Sequence, residues 1–172
     1  MPEHQQNQAP SSGRRNFAVI GAGVAACAAI GSLLSDPRST WYENLKKPSW
    51  QPPRAAFPIV WTSLYAIVAV SAATTVTRLE SAGRGAEASG FRRALATNLL
   101  LNAGWSGLFF RGQNLPIATI GAAVLASSSA GLAKRASAVG PGPALGLAGY
   151  AAWCAFATAL SGTVAALNPE DE

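Results

Sequence analysis

Five long stretches without a single charged residue dominate this 172-residue sequence. They cover residues 17–34, 58–77, 94–110, 115–132 and 144–167. A helix needs about 20 apolar residues, within a range of about 17–25, to cross a bilayer. Each stretch falls in or near that range and is apolar or small on every side, whereas a helix of a soluble bundle keeps one polar face. The sequence therefore predicts an all-α, polytopic membrane protein, a bundle of five transmembrane helices.

The charged residues are few and lie between these stretches. Asp, Glu, Lys and Arg make up 12% of the chain, and the formal net charge is +5. Their placement in short connections argues against a nucleic-acid partner. A proton relay or an ion pump is not expected either, because such paths leave ionisable groups inside the spans. Cys27 and Cys154 lie within predicted spans and the single histidine is His4, so the sequence predicts no metal site and no catalytic nucleophile–base pair.

The distribution of Lys and Arg predicts the orientation in the membrane. One side would carry Arg14, Arg15, Arg78, Arg84, Arg92, Arg93, Lys134 and Arg135. The other side would carry only Arg38, Lys46, Lys47, Arg54 and Arg111. Because cytoplasmic loops hold the excess of positive charge, we expect a cytoplasmic N-terminus in a bacterial cell membrane. A disordered polar tail (residues 1–16) and an acidic tail (residues 169–172) are expected to flank the transmembrane domain at residues 17–168.

Glycine and alanine are frequent in the first stretch. Gly21, Gly23 and Ala26 form a G-x-G-x-x-A pattern with Asp36 downstream, as in dinucleotide-binding folds. Such a fold needs alternating strands and helices, and this sequence predicts no strands. The pattern is instead typical of a membrane helix whose small residues let a neighbouring backbone approach closely. This small face can pack inside the bundle or against a second copy of the chain, and the sequence leaves both open.

Aromatic and amide side chains recur at helical spacing in three of the stretches. Residues three or four positions apart lie on one face of a helix. The three faces contain Phe57, Trp61 and Tyr65, then Asn98, Asn102, Trp105 or Ser106, and Phe109, and finally Tyr150, Trp153, Ala157 and Leu160. If these faces converge, they enclose an apolar cleft for a flat, mostly hydrophobic ligand. Hydrogen bonding between helices explains Asn98 equally well.

The connection at residues 35–57 is expected to cover the mouth of this cleft. It is predicted to be extended or turned because proline fixes φ and lacks an N–H donor, and it includes or adjoins Pro48, Pro52, Pro53 and Pro58. Trp41 and Trp50 in this connection are typical of anchors at a membrane interface. The connection also carries four cations, Arg38, Lys46, Lys47 and Arg54. These side chains either bind carboxylates on the ligand or lie in solvent near phospholipids.

Three separated motifs carry a more specific resemblance. The first is W-Y-E-N-L-K-K-P-S-W-Q-P-P at residues 41–53, followed by F-P-I-V-W-T-S-L-Y at residues 57–65. The second is L-N-A-G-W-S-G-L-F-F at residues 101–110, and the third is Y-A-A-W-C-A-F-A-T-A-L at residues 150–160. In this order and spacing they resemble the TspO family of tryptophan-rich sensory proteins, also called translocator proteins and peripheral-type benzodiazepine receptors. The resemblance covers about residues 17–168.

The resemblance implies a five-helix membrane bundle, often dimeric, that binds porphyrins such as haem and protoporphyrin and, in some members, sterols. It implies a pocket lined by Trp61, Tyr65, Asn102, Trp105 and Trp153. Trp41 and Trp50 would belong to a loop that acts as its lid. Family members are linked to tetrapyrrole transport, to sensing of stress or oxygen, and to light-dependent porphyrin breakdown. No obligatory cofactor is implied, since the porphyrin is the ligand.

The function expected from the sequence is therefore binding of a tetrapyrrole or another flat apolar molecule within the lipid bilayer, as a sensor or transporter and as a homodimer. The alternatives are a light- and oxygen-dependent porphyrin-degrading enzyme and a lipid- or sterol-binding scaffold. Two positions depart from the family pattern, Gly149 in place of a common Pro and Ser161 in place of the usual Asn. Residues 161–168 also lack the Tyr followed by Lys or Arg of the animal sterol pattern, which argues against specific cholesterol binding.

Overall fold

Six α-helices make up most of the protein in the computed structural model, which describes residues 9–169. Residues 1–8 and 170–172, which include the start of the expected N-terminal tail and most of the acidic tail, lie outside the described part. The helices are α1 (Ala9–Leu34), α2 (Thr40–Asn44), α3 (Ala56–Ser81), α4 (Gly85–Phe110), α5 (Leu115–Ala136) and α6 (Pro141–Leu167). A 3₁₀ turn at Ser137–Val139 follows α5. Residues 9–169 contain no β-strand, so a dinucleotide-binding fold is excluded.

The five long helices close into a ring. α1 packs against α3 and α4, α6 packs against α3 and α5, and α4 packs against α5. The main core lies between α3, α4 and α6, where Val68, Phe91 and Leu147 are fully buried. At the α3–α6 contact a Cβ on Gly146 would overlap the hydroxyl of Ser71, so glycine allows the two helices to approach.

Within residues 9–169, four helices are long and apolar enough to cross a membrane. The qualifying segments are Ser12–Leu34, Ala56–Ser81, Leu115–Val139 and Pro141–Leu167. The helix α4 has 26 residues, as α3 does, but does not qualify. Its two asparagines, Asn98 and Asn102, and the charges near its start lower its hydropathy. An all-helical protein with membrane-spanning helices is confirmed, whereas the fifth predicted span is not confirmed by length and apolarity.

The turn between α3 and α4 is much shorter than the sequence suggests. The hydropathy pattern predicts a connection at residues 78–93, but both helices extend into it and leave only residues 82–84 between them. Arg92 on α4 pairs with Glu80 on α3, so charged residues face one another across the helix ends. These residues are charged because they lie at the end of the bundle and not because they form a loop.

The helix α1 begins well before the predicted span. Residues 9–16, expected to belong to a disordered tail, are helical. Asn16 is buried, and its side-chain amide donates hydrogen bonds to Thr77 at 3.2 Å and to Glu80 at 2.6 Å. These contacts hold the polar start of α1 against the end of α3.

Candidate functional site

A cavity of about 820 Å³ opens at one end of the bundle. Its walls come from α1, α3, α4 and α6, and the connection between α1 and α3 contributes further lining residues. α1 contributes only small side chains, those of Ala28, Gly31 and Ser32. Part of the small-residue face of α1 therefore lies inside the bundle, where it leaves space beside the larger side chains of the other helices.

Eight of the ten residues predicted to bind a ligand line this cavity. They are Phe57, Trp61, Tyr65, Asn102, Trp105, Phe109, Trp153 and Ala157. The structure thus brings together the three faces that helical spacing defined, one each on α3, α4 and α6.

The aromatic side chains of the walls pack in tilted pairs within single helices. The ring centroids are 5.1–5.5 Å apart in the pairs Trp61–Tyr65, Trp105–Phe109 and Trp153–Phe156. Between helices, the ring of Phe57 lies 6.2 Å from that of Trp153, edge to face. The cavity is therefore bounded by flat apolar surfaces from three helices.

Trp41 and Trp50 do not line the cavity. Trp41 packs its ring edge-to-face against Phe109 at 5.8 Å, and Trp50 packs in the same way against Phe156 at 5.8 Å. Trp50 is also 48% exposed. Both tryptophans of the first connection thus support residues of the wall without forming it.

Polar groups in the wall differ in whether they have a partner. Tyr65 donates a hydrogen bond to Asn102 Oδ1 at 2.8 Å, and Trp105 Nε1 donates to the carbonyl of Ala118 at 3.0 Å. The Nε1–H group of Trp153 is buried and has no acceptor among the described residues. An unsatisfied buried donor of this kind costs about 1–3 kcal/mol, and because this nitrogen has almost no accessible surface it does not face the cavity.

Two of the four predicted cations lie at the cavity, Arg38 and Arg54. Arg54 forms an exposed ion pair with Glu43 at 3.0 Å, whereas Arg38 has no acidic partner among residues 9–169. An exposed pair of this kind contributes little to stability and exchanges readily. Both guanidinium groups are therefore available to an anionic group at the mouth.

The other two cations, Lys46 and Lys47, do not line the cavity. The amine of Lys47 donates to carbonyl oxygens at the end of α2, including that of Leu45 at 2.9 Å, and lies 4.6 Å from the centroid of the Tyr42 ring. Desolvation, with Arg54 nearby, lowers the pKa of Lys47, and burial raises the pKa of the Tyr42 hydroxyl. Lys47 thus stabilises the C-terminal end of α2.

The first connection is fixed to the bundle next to the cavity. Leu45 is 5% exposed and packs with Phe109, Leu115 and other residues of a small apolar cluster. The side chain of Asn168 accepts from the backbone N–H of Lys46 at 2.8 Å and donates to its carbonyl at 2.9 Å. The connection therefore has an apolar anchor and a polar anchor at adjacent residues.

Several lining residues were not predicted. Tyr42 and Phe156 belong to the cavity wall, and Phe156 follows Trp153 by three positions on the same helical face. This three-residue spacing is the sequence signal that could have identified Phe156 as a lining residue. Tyr150, which shares this face in the sequence, is fully buried behind the wall and contacts the ring of Trp61 at 6.5 Å.

Comparison with known proteins agrees with these features. The model of the TspO/MBR family matches residues 18–167. The chain is 34% identical to the tryptophan-rich protein TspO of Chlorobaculum tepidum over 151 residues, which are 85% of this chain and 93% of that protein. It is 30% identical to the tryptophan-rich protein TspO of Bacillus cereus, over 81% of this chain and 88% of that protein. It is 32% identical to the translocator protein of Ovis aries, over 70% of each chain. With its apolar helices and this match over most of its length, the chain belongs to the TspO/MBR family and is an integral, multi-pass membrane protein.

Proposed function

We propose that this protein binds a tetrapyrrole, such as haem or protoporphyrin, in the cavity and acts in the sensing or transport of porphyrins. The observation that carries the proposal is the convergence of three aromatic helix faces around one space. Relatives of the chain are named tryptophan-rich sensory protein and translocator protein, names that agree with sensing or transport. The homodimer expected from the sequence stays a prediction.

The size and surface of the cavity suit a large flat ligand. Its volume of about 820 Å³ lies in the upper part of the range of about 300–1,000 Å³ that is usual for small-molecule sites. Indole and phenyl faces at Trp61, Trp105 and Trp153 offer stacking surfaces to an aromatic macrocycle. A ligand of this kind would bury most of its apolar surface between α3, α4 and α6.

The polar groups suit a ligand that carries carboxylates at one edge. Arg38 and Arg54 lie at the mouth, where propionate groups of a porphyrin would meet them. The charged edge of the porphyrin would thus point toward the connection between α1 and α3, and its apolar ring would lie deeper.

α4 crosses the membrane as the fifth span in this proposal. Leu115, at the start of α5, packs with Leu45 at the cavity end of the bundle, and Arg84, just before α4, donates to the carbonyl of Ala138 at 3.2 Å at the other end. α4 therefore runs the length of the bundle between two short turns. Leu100 on its outer face is 75% exposed, as expected for a side chain that faces lipid.

A protoporphyrin titration of the purified protein in detergent, followed by porphyrin absorption, tests the proposal. Replacing Trp153 by alanine removes a stacking surface from the cavity wall, and we expect the Kd to rise about tenfold or more. Trp50→Ala is the matched control, because Trp50 contacts the wall at Phe156 but does not line the cavity.

The control variant should bind protoporphyrin within about twofold of the unaltered protein, since a contact at the edge of the site contributes little. Equal affinity of Trp153→Ala and the unaltered protein would refute this cavity as the porphyrin site. Absence of saturable binding by the unaltered protein would refute the proposed function itself.

A further inference from the structure

A continuous chain of hydrogen bonds runs from the cavity wall into the core. Tyr65 donates to Asn102 Oδ1 at 2.8 Å, and Asn102 Nδ2 donates to the Tyr150 hydroxyl at 2.9 Å. Tyr150 donates to Asn98 Oδ1 at 3.1 Å, and Asn98 Nδ2 donates to the hydroxyl of Ser129 at 3.0 Å. The chain links α3, α4, α6 and α5. Only its first two members, Tyr65 and Asn102, line the cavity.

The inner end of this chain fixes the direction of every bond in it. The hydroxyl of Ser129 lies 2.8 Å from the backbone carbonyl of Leu125, and a carbonyl oxygen can only accept. Ser129 must therefore donate there and accept from Asn98, which turns the NH₂ group of Asn98 toward Ser129. The oxygen of Asn98 then accepts from Tyr150, so the oxygen of Tyr150 is left to accept from Asn102.

The same reasoning fixes the outer end. With its NH₂ group bound to Tyr150, Asn102 presents its oxygen to Tyr65, and the hydroxyl proton of Tyr65 is used in that bond. The nearby thiol of Cys27 does not alter this, because it can donate to the carbonyl of Leu99 at 3.3 Å or to Asn102 Oδ1 at 3.6 Å, and in both cases Asn102 Oδ1 remains an acceptor. Asn98, Asn102, Tyr150 and Ser129 are all buried, so no solvent competes along the chain.

We infer that Tyr65 presents only lone pairs to the cavity and makes the site selective for flat ligands that carry an N–H or O–H donor. Gly31 on α1 keeps this oxygen accessible, since a Cβ there would lie 3.7 Å from it. The inference rests on the proposed function only in requiring a flat ligand in this cavity. In this inference the hydrogen-bonding character of Tyr65 is set by Asn98, Tyr150 and Ser129, which do not line the cavity.

Tyr150 is the positioning residue that makes this assignment testable. It does not line the cavity, and its hydroxyl is the acceptor that holds the NH₂ group of Asn102. In Tyr150→Phe that acceptor is lost, so the Asn102 amide is free to turn and donate to Tyr65. The proton of Tyr65 then becomes available to the ligand, and the preference of the site for donors falls or reverses.

The experiment compares carbazole, a flat N–H donor, with dibenzofuran, which has the same shape and an acceptor oxygen instead. Both compounds are titrated against the full-length protein in detergent by quenching of tryptophan fluorescence. The quantity measured is the ratio of the dibenzofuran Kd to the carbazole Kd in each variant. This ratio cancels changes that affect both ligands equally, such as loss of stacking area or partition into micelles.

We expect the ratio to fall about fivefold in Tyr65→Phe, the usual effect of one neutral hydrogen bond, and by at least as much in Tyr150→Phe. Thr75→Val is the matched control, because the hydroxyl of Thr75 is fully buried and bonded only to the carbonyl of Ser71. It loses a buried hydroxyl outside the chain and should leave the ratio unchanged.

An unchanged ratio in Tyr65→Phe would overturn the inference, and this conservative variant decides the matter even if Tyr150→Phe does not fold. A ratio that falls in Tyr65→Phe but not in Tyr150→Phe would refute the fixed direction of the chain. Lack of saturable binding of both compounds to the unaltered protein would also overturn it. A parallel titration with protoporphyrin separates the two proposals. If protoporphyrin fails to bind, the proposed function is refuted, and the Kd ratio of dibenzofuran to carbazole still tests the inference about Tyr65.

Discussion

Asn168 is a single residue that joins two distant parts of the chain at the cavity. Besides its two bonds with the backbone of Lys46, its amide donates to the carbonyl of Val164 in the last turn of α6 at 2.7 Å. Asn168 is 6% exposed, so these bonds are shielded from water. The end of α6 thereby holds the first connection in place beside the cavity.

Replacing Asn168 by alanine leaves the N–H and carbonyl of Lys46 without their partner. We expect a loss of about 1–3 kcal/mol in the stability of this contact, seen as faster hydrogen exchange of the Lys46 amide, and faster dissociation of bound protoporphyrin. Mass spectrometry of peptides from residues 35–55 measures the first effect, and stopped-flow absorption measures the second.

Asn114→Ala is the control for Asn168→Ala. Asn114 caps α5 at the same end of the bundle by accepting from the N–H of Ile117 at 2.9 Å, and among residues 9–169 its side chain forms no hydrogen bond with the first connection. It should lower overall stability by about 1 kcal/mol without changing porphyrin dissociation. Equal dissociation rates in all three proteins would show that Asn168 does not hold the lid.

Helical spacing was sufficient to predict most of the aromatic residues that line the cavity but not the residues of the first connection. Trp61, Tyr65 and Trp153 line the cavity because residues three or four positions apart share a helix face. Trp41 lies on the five-residue helix α2 and Trp50 on irregular backbone, and the direction of these two side chains depends on how the first connection folds, which the spacing of residues in the sequence does not give. Tyr150 shows a further limit, because helical spacing places it on the same helix face as Trp153 but does not reveal that it is buried behind the cavity wall.

At the scale of elements, α4 differs most from its prediction. Two of its polar residues lie in the interior of the bundle. Asn98 forms a hydrogen bond with α5, and Asn102 forms hydrogen bonds with α3 and α6. Hydropathy averages over all faces of a helix and therefore undervalues one whose amides point inward. It also cannot distinguish charges in a loop from charges at a helix end, which is why the turn between α3 and α4 was predicted too long.

If α4 crosses the membrane, the turns at its two ends lie on opposite sides. Single cysteines replacing Ala82 and Gln113, both exposed, report on these two turns. A membrane-impermeant thiol reagent added to intact cells should label Gln113→Cys at once and Ala82→Cys only after permeabilisation, since the N-terminus is expected in the cytoplasm. The native Cys27 and Cys154 are buried and should give little background.

Labelling of both cysteines from the same side would show that α4 does not span the membrane. Labelling of Ala82→Cys alone in intact cells would retain the fifth span but reverse the orientation. Denatured protein, in which both cysteines must react, provides the control for reactivity.

At the scale of the whole molecule, the two ends of the bundle differ in structure. At one end arginines close the structure, since Arg78 donates to the carbonyl of Val139 at 3.0 Å and Arg84 donates to that of Ala138. At the other end the helices leave a large aromatic cavity beneath the first connection. The ring of five helices is thus joined by hydrogen bonds at one end and open at the other, as the proposed binding of a ligand requires.

The most direct test of this account is to fill the cavity from the wall that contributes only small side chains. Gly31→Leu places a branched side chain next to Tyr65 and Ser106. Gly21→Leu adds the same side chain to the same helix where a Cβ would meet no other helix within 4 Å among the described residues. We predict that Gly31→Leu weakens protoporphyrin binding about tenfold or more while Gly21→Leu binds as the unaltered protein does. Unchanged binding in a folded Gly31→Leu variant would contradict the claim that this cavity holds the ligand.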